Sequence, residues 1–250
     1  MKKFVTTLTA LLLTVAFAFT ISACTDGGND DETYEQVTEE QWKKALSLFT
    51  HDADLVNTDD LNITLEFSMY SILNGEEIDP YSYTVKVDYA NKIVYTYMVY
   101  SENNTGRDYI WQGEDGTTYR YDEYTDEDGV NKDKYTLEET FLERAIDSIS
   151  SNTYLATVDF DAYNGYADFE YNEKTGGYSH TYVYDEYDIV NYDFTFYFKG
   201  GKIVRSELVI PEYLDEDTGE VVSISYLETY AYGENVLTVP EEVLNFTNNN

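Results

Sequence analysis

From Leu61 the chain alternates in character. Leu61, Ile63, Leu65, Phe67 and Met69 are apolar, and Asn62, Thr64, Glu66 and Ser68 between them are polar. A period of two places the two sets on opposite faces of an extended chain, so this segment predicts a half-buried strand. The same rhythm predicts strands over 83–89, 93–100, 107–112 and 117–124. In the second half it predicts strands over 153–160, 165–172, 178–185, 189–198, 202–210 and 221–232, and a short last one over 236–239 before Pro240. Turn residues punctuate the runs: Asn74-Gly75, Ala90-Asn91-Lys92, Gly113 to Gly116, Gly176-Gly177, Gly200-Gly201 and Asp215 to Gly219.

Two segments keep a helical period instead. Trp42, Ala45, Leu46 and Phe49 recur at spacings of three and four. Thr38 stands before them with Gln41 three residues on, the arrangement of a capping box. This helix is expected to end near residues 50–52. Leu137, Phe141, Ala145 and Ile149 repeat the pattern behind Thr136 and Glu139, which predicts a second capped helix over 137–149. About eleven strands and two helices define an α+β fold that is mostly antiparallel β. Tight turns between consecutive strands favour an up-and-down meander. The expectation is a curled sheet, an open half-barrel, with the two helices covering one face and an apolar groove between helices and sheet.

The first 23 residues follow another logic. Lys2 and Lys3 precede an apolar run from Phe4 to Phe19, and Ile21-Ser22-Ala23 leads to Cys24, the sole cysteine of the 250 residues. A short positive region, an apolar stretch and small residues at its end are the parts of a secretory signal. The small residues before cysteine resemble the lipobox of bacterial lipoproteins. That resemblance implies a diacylglycerol on the Cys24 thiol and cleavage between Ala23 and Cys24. Two or more acyl chains hold a protein on a membrane durably, where one gives only reversible binding. No second long apolar stretch follows Cys24. The expected location is the cell envelope, with the domain on the exported side of the membrane that holds the anchor. Residues 24–37 are polar and acidic and read as a flexible tether. Residues 38–246 read as one domain, and residues 247–250 as a disordered tail.

Charge narrows the partners. The chain holds 49 Asp and Glu against 15 Lys and Arg, a net charge of −34, and the loss of Lys2 and Lys3 would make the remainder more acidic still. Such a surface repels phosphate backbones, so nucleic acid is excluded as a partner. With one cysteine there is no intrachain disulfide, and stability rests on packing. The 27 tyrosines fit half-buried strand surfaces, where a ring packs and its hydroxyl stays wet.

Catalytic chemistry has little to build on. His51 and His180 are the only histidines and stand in no metal-binding motif. There is no Gly-x-Ser-x-Gly elbow and no glycine-rich phosphate loop. Asp126 to Gly129 and Asp215 to Gly219 are acidic, but neither has the ligand spacing of an EF-hand. They read as hairpin turns. The chain is therefore expected to be a monomer without enzymatic activity, catalytic residues, metal or cofactor.

The capped helix of Val37 to Trp42 leads into Asn62-Ile63-Thr64-Leu65, and near the end Tyr226 to Gly233 leads into Val239-Pro240-Glu241-Glu242-Val243. These stretches, with the layout of residues 37–246, resemble the LolA/LolB-like half-barrel lipoproteins. The resemblance implies an open barrel around a hydrophobic cavity that accepts acyl chains. It assigns no ligand-binding residue here: the family's carriers can use a buried arginine, and Arg107, Arg120, Arg144 and Arg205 offer no basis for choosing one. The function expected is a membrane-anchored lipoprotein that binds a lipid or other apolar ligand. The alternative is a surface interaction or sensor module with no ligand in its groove.

Overall fold

The computed structural model describes residues 33–49, 56–101, 103–153, 165–184, 190–215, 219–233 and 235–248. Ala23, Cys24, His51 and most of the expected strand over 153–160 lie outside the described residues. Tyr34 to Asn250 form one compact unit. Its frame is an open, curled antiparallel sheet with few helices. The strands are β1 (Ile63–Leu73), β2 (Glu76–Asp88), β3 (Ile93–Ser101), β4 (Asn104–Gln112), β5 (Thr118–Asp126), β6 (Gly129–Leu137), β7 (Glu170–Asn172), β8 (Gly177–Tyr184), β9 (Val190–Lys199), β10 (Lys202–Asp215) and β11 (Glu220–Tyr232).

The order across the sheet is β6-β5-β4-β3-β2-β1-β11-β10-β9-β8-β7. This is not the simple meander expected. Each half of the chain is a meander, and the two are joined in the middle, where β1 pairs antiparallel with β11 from Ile63↔Tyr232 to Leu73↔Val222. The edges are therefore β6 and β7. The hairpin turns follow the sequence. Asn74 and Gly75 take φ of 51° and 82°, and Gly200 and Gly201 take 60° and 70°. Two successive positive φ values match the right-handed twist of the flanking strands, and glycine adopts them without steric cost.

Helix α1 (Glu39–Leu46) begins at the expected capping box: Thr38 accepts from the Gln41 N–H, and the Gln41 side chain accepts from the Thr38 N–H. A 3-10 turn over Ser47–Phe49 extends it. Helix α2 (Phe141–Ser150) starts later than expected. Its capping box is Thr140 with Glu143, not Thr136 with Glu139. Thr136 and Leu137 are held in β6 by pairing with Tyr119 and Thr118. The sequence offers two overlapping boxes, and strand pairing takes the first. Strand β6 itself is absent from the periodic pattern.

Three further expectations change. Only Glu170–Asn172 of the strand over 165–172 forms, behind a 3-10 turn at Gly165–Ala167. Residues 236–239 form no strand, because no neighbouring strand is there to pair with them. The Leu237 N–H instead bonds the Asp88 carboxylate at 2.9 Å, and a short helix α3 (Glu241–Leu244) follows. Residues 34–37, read as the end of the tether, belong to the domain. Tyr34 packs on Tyr197 at 4.6 Å, Glu35 N–H bonds Phe198 O, and Val37 is buried with its N–H on the Tyr178 hydroxyl at 2.9 Å. Asn248, in the expected tail, is also placed. Its side-chain amide both accepts from Lys134 N–H and donates to Lys134 O on edge strand β6.

Both faces of the sheet carry a core. The larger one lies under α1 and α2 and joins Trp42, Leu46, Phe141, Ala145 and Ile149 to Ile63, Leu65, Val85, Phe196 and Phe198. The smaller lies on the outer face, where Val243 of α3 packs with Ile93, Trp111 and Tyr121.

Candidate functional site

The register of β1 to β6 fixes what shares the helix-covered face. Phe67, Tyr83, Met98, Gly106, Tyr124 and Asn131 lie in one lateral row, each opposite the next on the adjacent strand. Met69 and Tyr81 are paired next to it. Tyr100 sits at an irregularity between β3 and β4, and its ring joins Met98 on this side through its contact with Tyr81. Phe67 and Tyr83 are buried and stacked at 4.5 Å with planes 7° apart. Outward from them the rings form a chain. Tyr81 lies 5.4 Å from Tyr100, and Tyr100 lies 6.1 Å from Tyr124.

Tyr100 is 40% exposed and Tyr124 37% exposed. The Tyr100 hydroxyl donates to Met98 Sδ at 3.1 Å. Gly106 makes this close layer possible: a Cβ there would come within 3.1 Å of Met98 Cε and 3.7 Å of Tyr100. Burial raises the pKa of Tyr81 and of Tyr100, and the neighbouring tyrosine adds to each rise, so both rings stay neutral. The result is a half-exposed aromatic and thioether strip running out from the core.

A row of carboxylates borders this strip. Asp108, Asp122 and Asp133 are mutual register partners on β4, β5 and β6, one row nearer the helices than Gly106, Tyr124 and Asn131. Arg120 binds Asp108 Oδ2 at 2.8 Å through Nη2 and Asp122 Oδ1 at 2.8 Å through Nε. The Tyr135 hydroxyl donates to Asp122 Oδ2 at 2.8 Å. Asp108 is 8% exposed, and its Oδ1 has no hydrogen-bond partner. Burial pushes the Asp108 carboxyl up to about 7; Arg120 pulls the other way without cancelling this, and Asp122 adds to the rise.

That shift has a signed consequence. An unfolded aspartate ionises near pH 4. Between there and pH 7 the folded chain holds a proton that the unfolded chain has lost, so this group makes stability fall as pH rises, levelling off above 7. Asp108→Asn is expected to remove that slope. Denaturant titrations at pH 4, 6 and 8 should show the variant gaining on the parent by on the order of 2–4 kcal/mol across the range. Parallel profiles for the two proteins would contradict it.

The remaining expected groups fall elsewhere. Arg144 on α2 pairs with Glu139 and, at 3.1 Å, with Asp147. Arg107 pairs with Glu123 at 2.8 Å on the outer face, and Arg205 pairs with Glu207. His180 is on β8 with Nδ1 2.9 Å from Asp168 O. The Asp126 carboxylate caps its own turn, accepting from Asp128 N–H at 2.8 Å and Gly129 N–H at 3.1 Å. Among the described residues no three His, Cys, Asp or Glu groups converge as a metal site would need.

Two hollows carry charged side chains in their lining. One of about 170 Å³ at the end of α1 is lined by Lys44, Asp60, Lys202 and Tyr232 among others. The other, about 750 Å³ and open, lies beside β7 and β8 near Glu170, Lys174 and His180. The space where α2 meets β2 and β4 is filled by core side chains. Sequence reasoning missed the strip, because only the register of separate strands brings its rings together. No protein-family profile matches the chain, and no characterised protein matches it in sequence.

Proposed function

We propose that this chain is a lipoprotein anchored through Cys24 on the exported side of a membrane, and that its domain binds a lipid or other apolar molecule without catalysing a reaction. The observation that carries the reading is the half-exposed strip of Tyr81, Met98, Tyr100 and Tyr124 running out from the helix-covered core. Thioether and aromatic side chains adapt to irregular apolar shapes and lose little entropy on binding. The likeness to LolA/LolB-like half-barrels supports the same reading, with the difference that the ligand would lie beyond the helices, because the sheet beneath them is packed.

The packed core also favours the second reading, a surface interaction module whose exposed aromatic strip meets a protein. One pair of experiments separates them. Labelled palmitate should enter the wild-type product and not Cys24→Ser. The chain from residue 24 onward, carrying Cys24→Ser, should take up dodecyl maltoside below its micelle concentration, read by native mass spectrometry. Tyr100→Ala with Tyr124→Ala should weaken uptake about tenfold or more, since each buried ring contributes roughly 1–2 kcal/mol. Absence of uptake by the parent protein would favour the protein-docking reading.

A further inference from the structure

The strip and the acid row lie side by side, and each lacks what the other's ligand end would supply. The aromatic rows offer neutral, electron-rich ring faces, two of them more than one third exposed. The adjoining row offers the carboxylates of Asp122 and Asp133, the buried Asp108 carboxyl, and a single guanidinium bonded within it, Arg120. Its innermost member, Asp108, keeps an unpartnered oxygen while its other oxygen is turned toward β5 through Arg120. Arg144 approaches from α2, but Glu139 and Asp147 already occupy it.

Resting on the reading of the strip as the binding face, we propose that its ligand is an amphiphile with a cationic head. The apolar chain lies over Tyr81, Tyr100 and Tyr124, and the ammonium sits against Asp122 and Asp133. Asp122 is half-buried and Asp133 exposed, so both are reachable from the strip.

The geometry selects the kind of cation. Adjacent strands lie about 4.8 Å apart, so the row from Asp108 to Asp133 spans about 10 Å. Such a spread cannot wrap one small ion, in keeping with the absence of a metal cluster among the described residues. A broad, weakly hydrated ammonium suits it, because such a head is also attracted to the ring faces beside it. A positive head would in addition relieve the like-charge crowding that helps to hold the Asp108 carboxyl at about 7.

The test uses three dodecyl amphiphiles of different head, each below its micelle concentration: trimethylammonium, maltoside and sulfate. The protein is the chain from residue 24 onward with Cys24→Ser. The expected order is trimethylammonium tighter than maltoside by about tenfold or more, with sulfate weakest. The double variant Asp122→Asn, Asp133→Asn should bring trimethylammonium to within about twofold of maltoside and leave maltoside unchanged. Glu241→Gln with Glu242→Gln, which removes the same charge from the outer face, should preserve the preference.

Equal binding of the three heads would overturn the inference and leave the strip as an apolar site. A preference lost equally in both double variants would reduce it to net charge and overturn it too. No binding of any amphiphile would remove the strip's proposed function and the inference together. Tight binding of a lysine- and phenylalanine-containing peptide where trimethylammonium fails would replace the amphiphile with a protein partner.

Discussion

Trp42→Ala is expected to remove a large share of the domain's stability, about 3–5 kcal/mol. Trp42 is 1% exposed, and five rings surround it: Phe169 at 4.9 Å, Phe198 at 5.2 Å, Tyr178 at 5.4 Å, Phe196 at 5.5 Å and Tyr166 at 6.1 Å. It is the side chain through which α1 grips β8 and β9. Removing a buried tryptophan costs about 3–5 kcal/mol in lost transfer energy and residual cavity. Whole domains are stable by only about 5–15 kcal/mol. Trp42→Phe should cost much less, because the indole Nε1 has no hydrogen-bond partner to lose. Urea titration of the two variants checks both. A loss below about 1 kcal/mol for the alanine variant would mean that α1 is not required for the fold.

The second large effect is expected at Glu228. This side chain is fully buried on the helix-covered face, opposite Phe67. Its Oε2 accepts from Thr153 Oγ1 at 2.8 Å, from Ser206 Oγ at 3.0 Å and from the Tyr230 hydroxyl. The neighbouring Tyr83 hydroxyl donates to Asn152 O. Together these bonds fasten the stretch that leaves α2 onto the centre of the sheet. Glu228→Ala would leave three buried hydroxyls competing for poorer partners. Each unsatisfied donor costs about 1–3 kcal/mol, so the loss should be on the order of 3–5 kcal/mol. Glu228→Gln keeps an oxygen acceptor in a side chain of the same shape and should lose less than half as much. Thermal unfolding of both variants decides it. Equal losses would show that the charge is needed, rather than the acceptor.

Local signals in the sequence carried most of the fold. The Thr38–Gln41 box, the Asn74-Gly75 turn and the alternation from Leu61 each report physics that acts within a few residues. The failures share a cause. Strand β6 is exposed on both sides over most of its length, so nothing forces Val130 to Leu137 to alternate, and no period marks it. Residues 236–239 alternate because Leu237 and Val239 pack on the outer core, a reason that mimics a strand without one. The β1–β11 pairing depends on residues too far apart for any window to relate.

The candidate site was hidden in the same way. Tyr81, Tyr100 and Tyr124 stand in three different strands, and each reads alone as an ordinary strand residue. Asp108, Asp122 and Asp133 are three among 49 acids until register sets them side by side. Cys24 is the opposite case, since the lipid anchor proposed for it rests entirely on its neighbours in sequence.

The junction of β1 with β11 has a bearing on biogenesis. A polypeptide made or threaded from its N-terminus exposes Ile63, Leu65 and Phe67 long before Tyr226 to Tyr232 exist to cover one side of them. Each half can zip up through its own hairpins early, because those contacts are short in sequence. The seam between the halves must wait for the last strand. Until then the central edge of β1 stands open, and it is there that a holding chaperone or an aggregating neighbour would find this protein first.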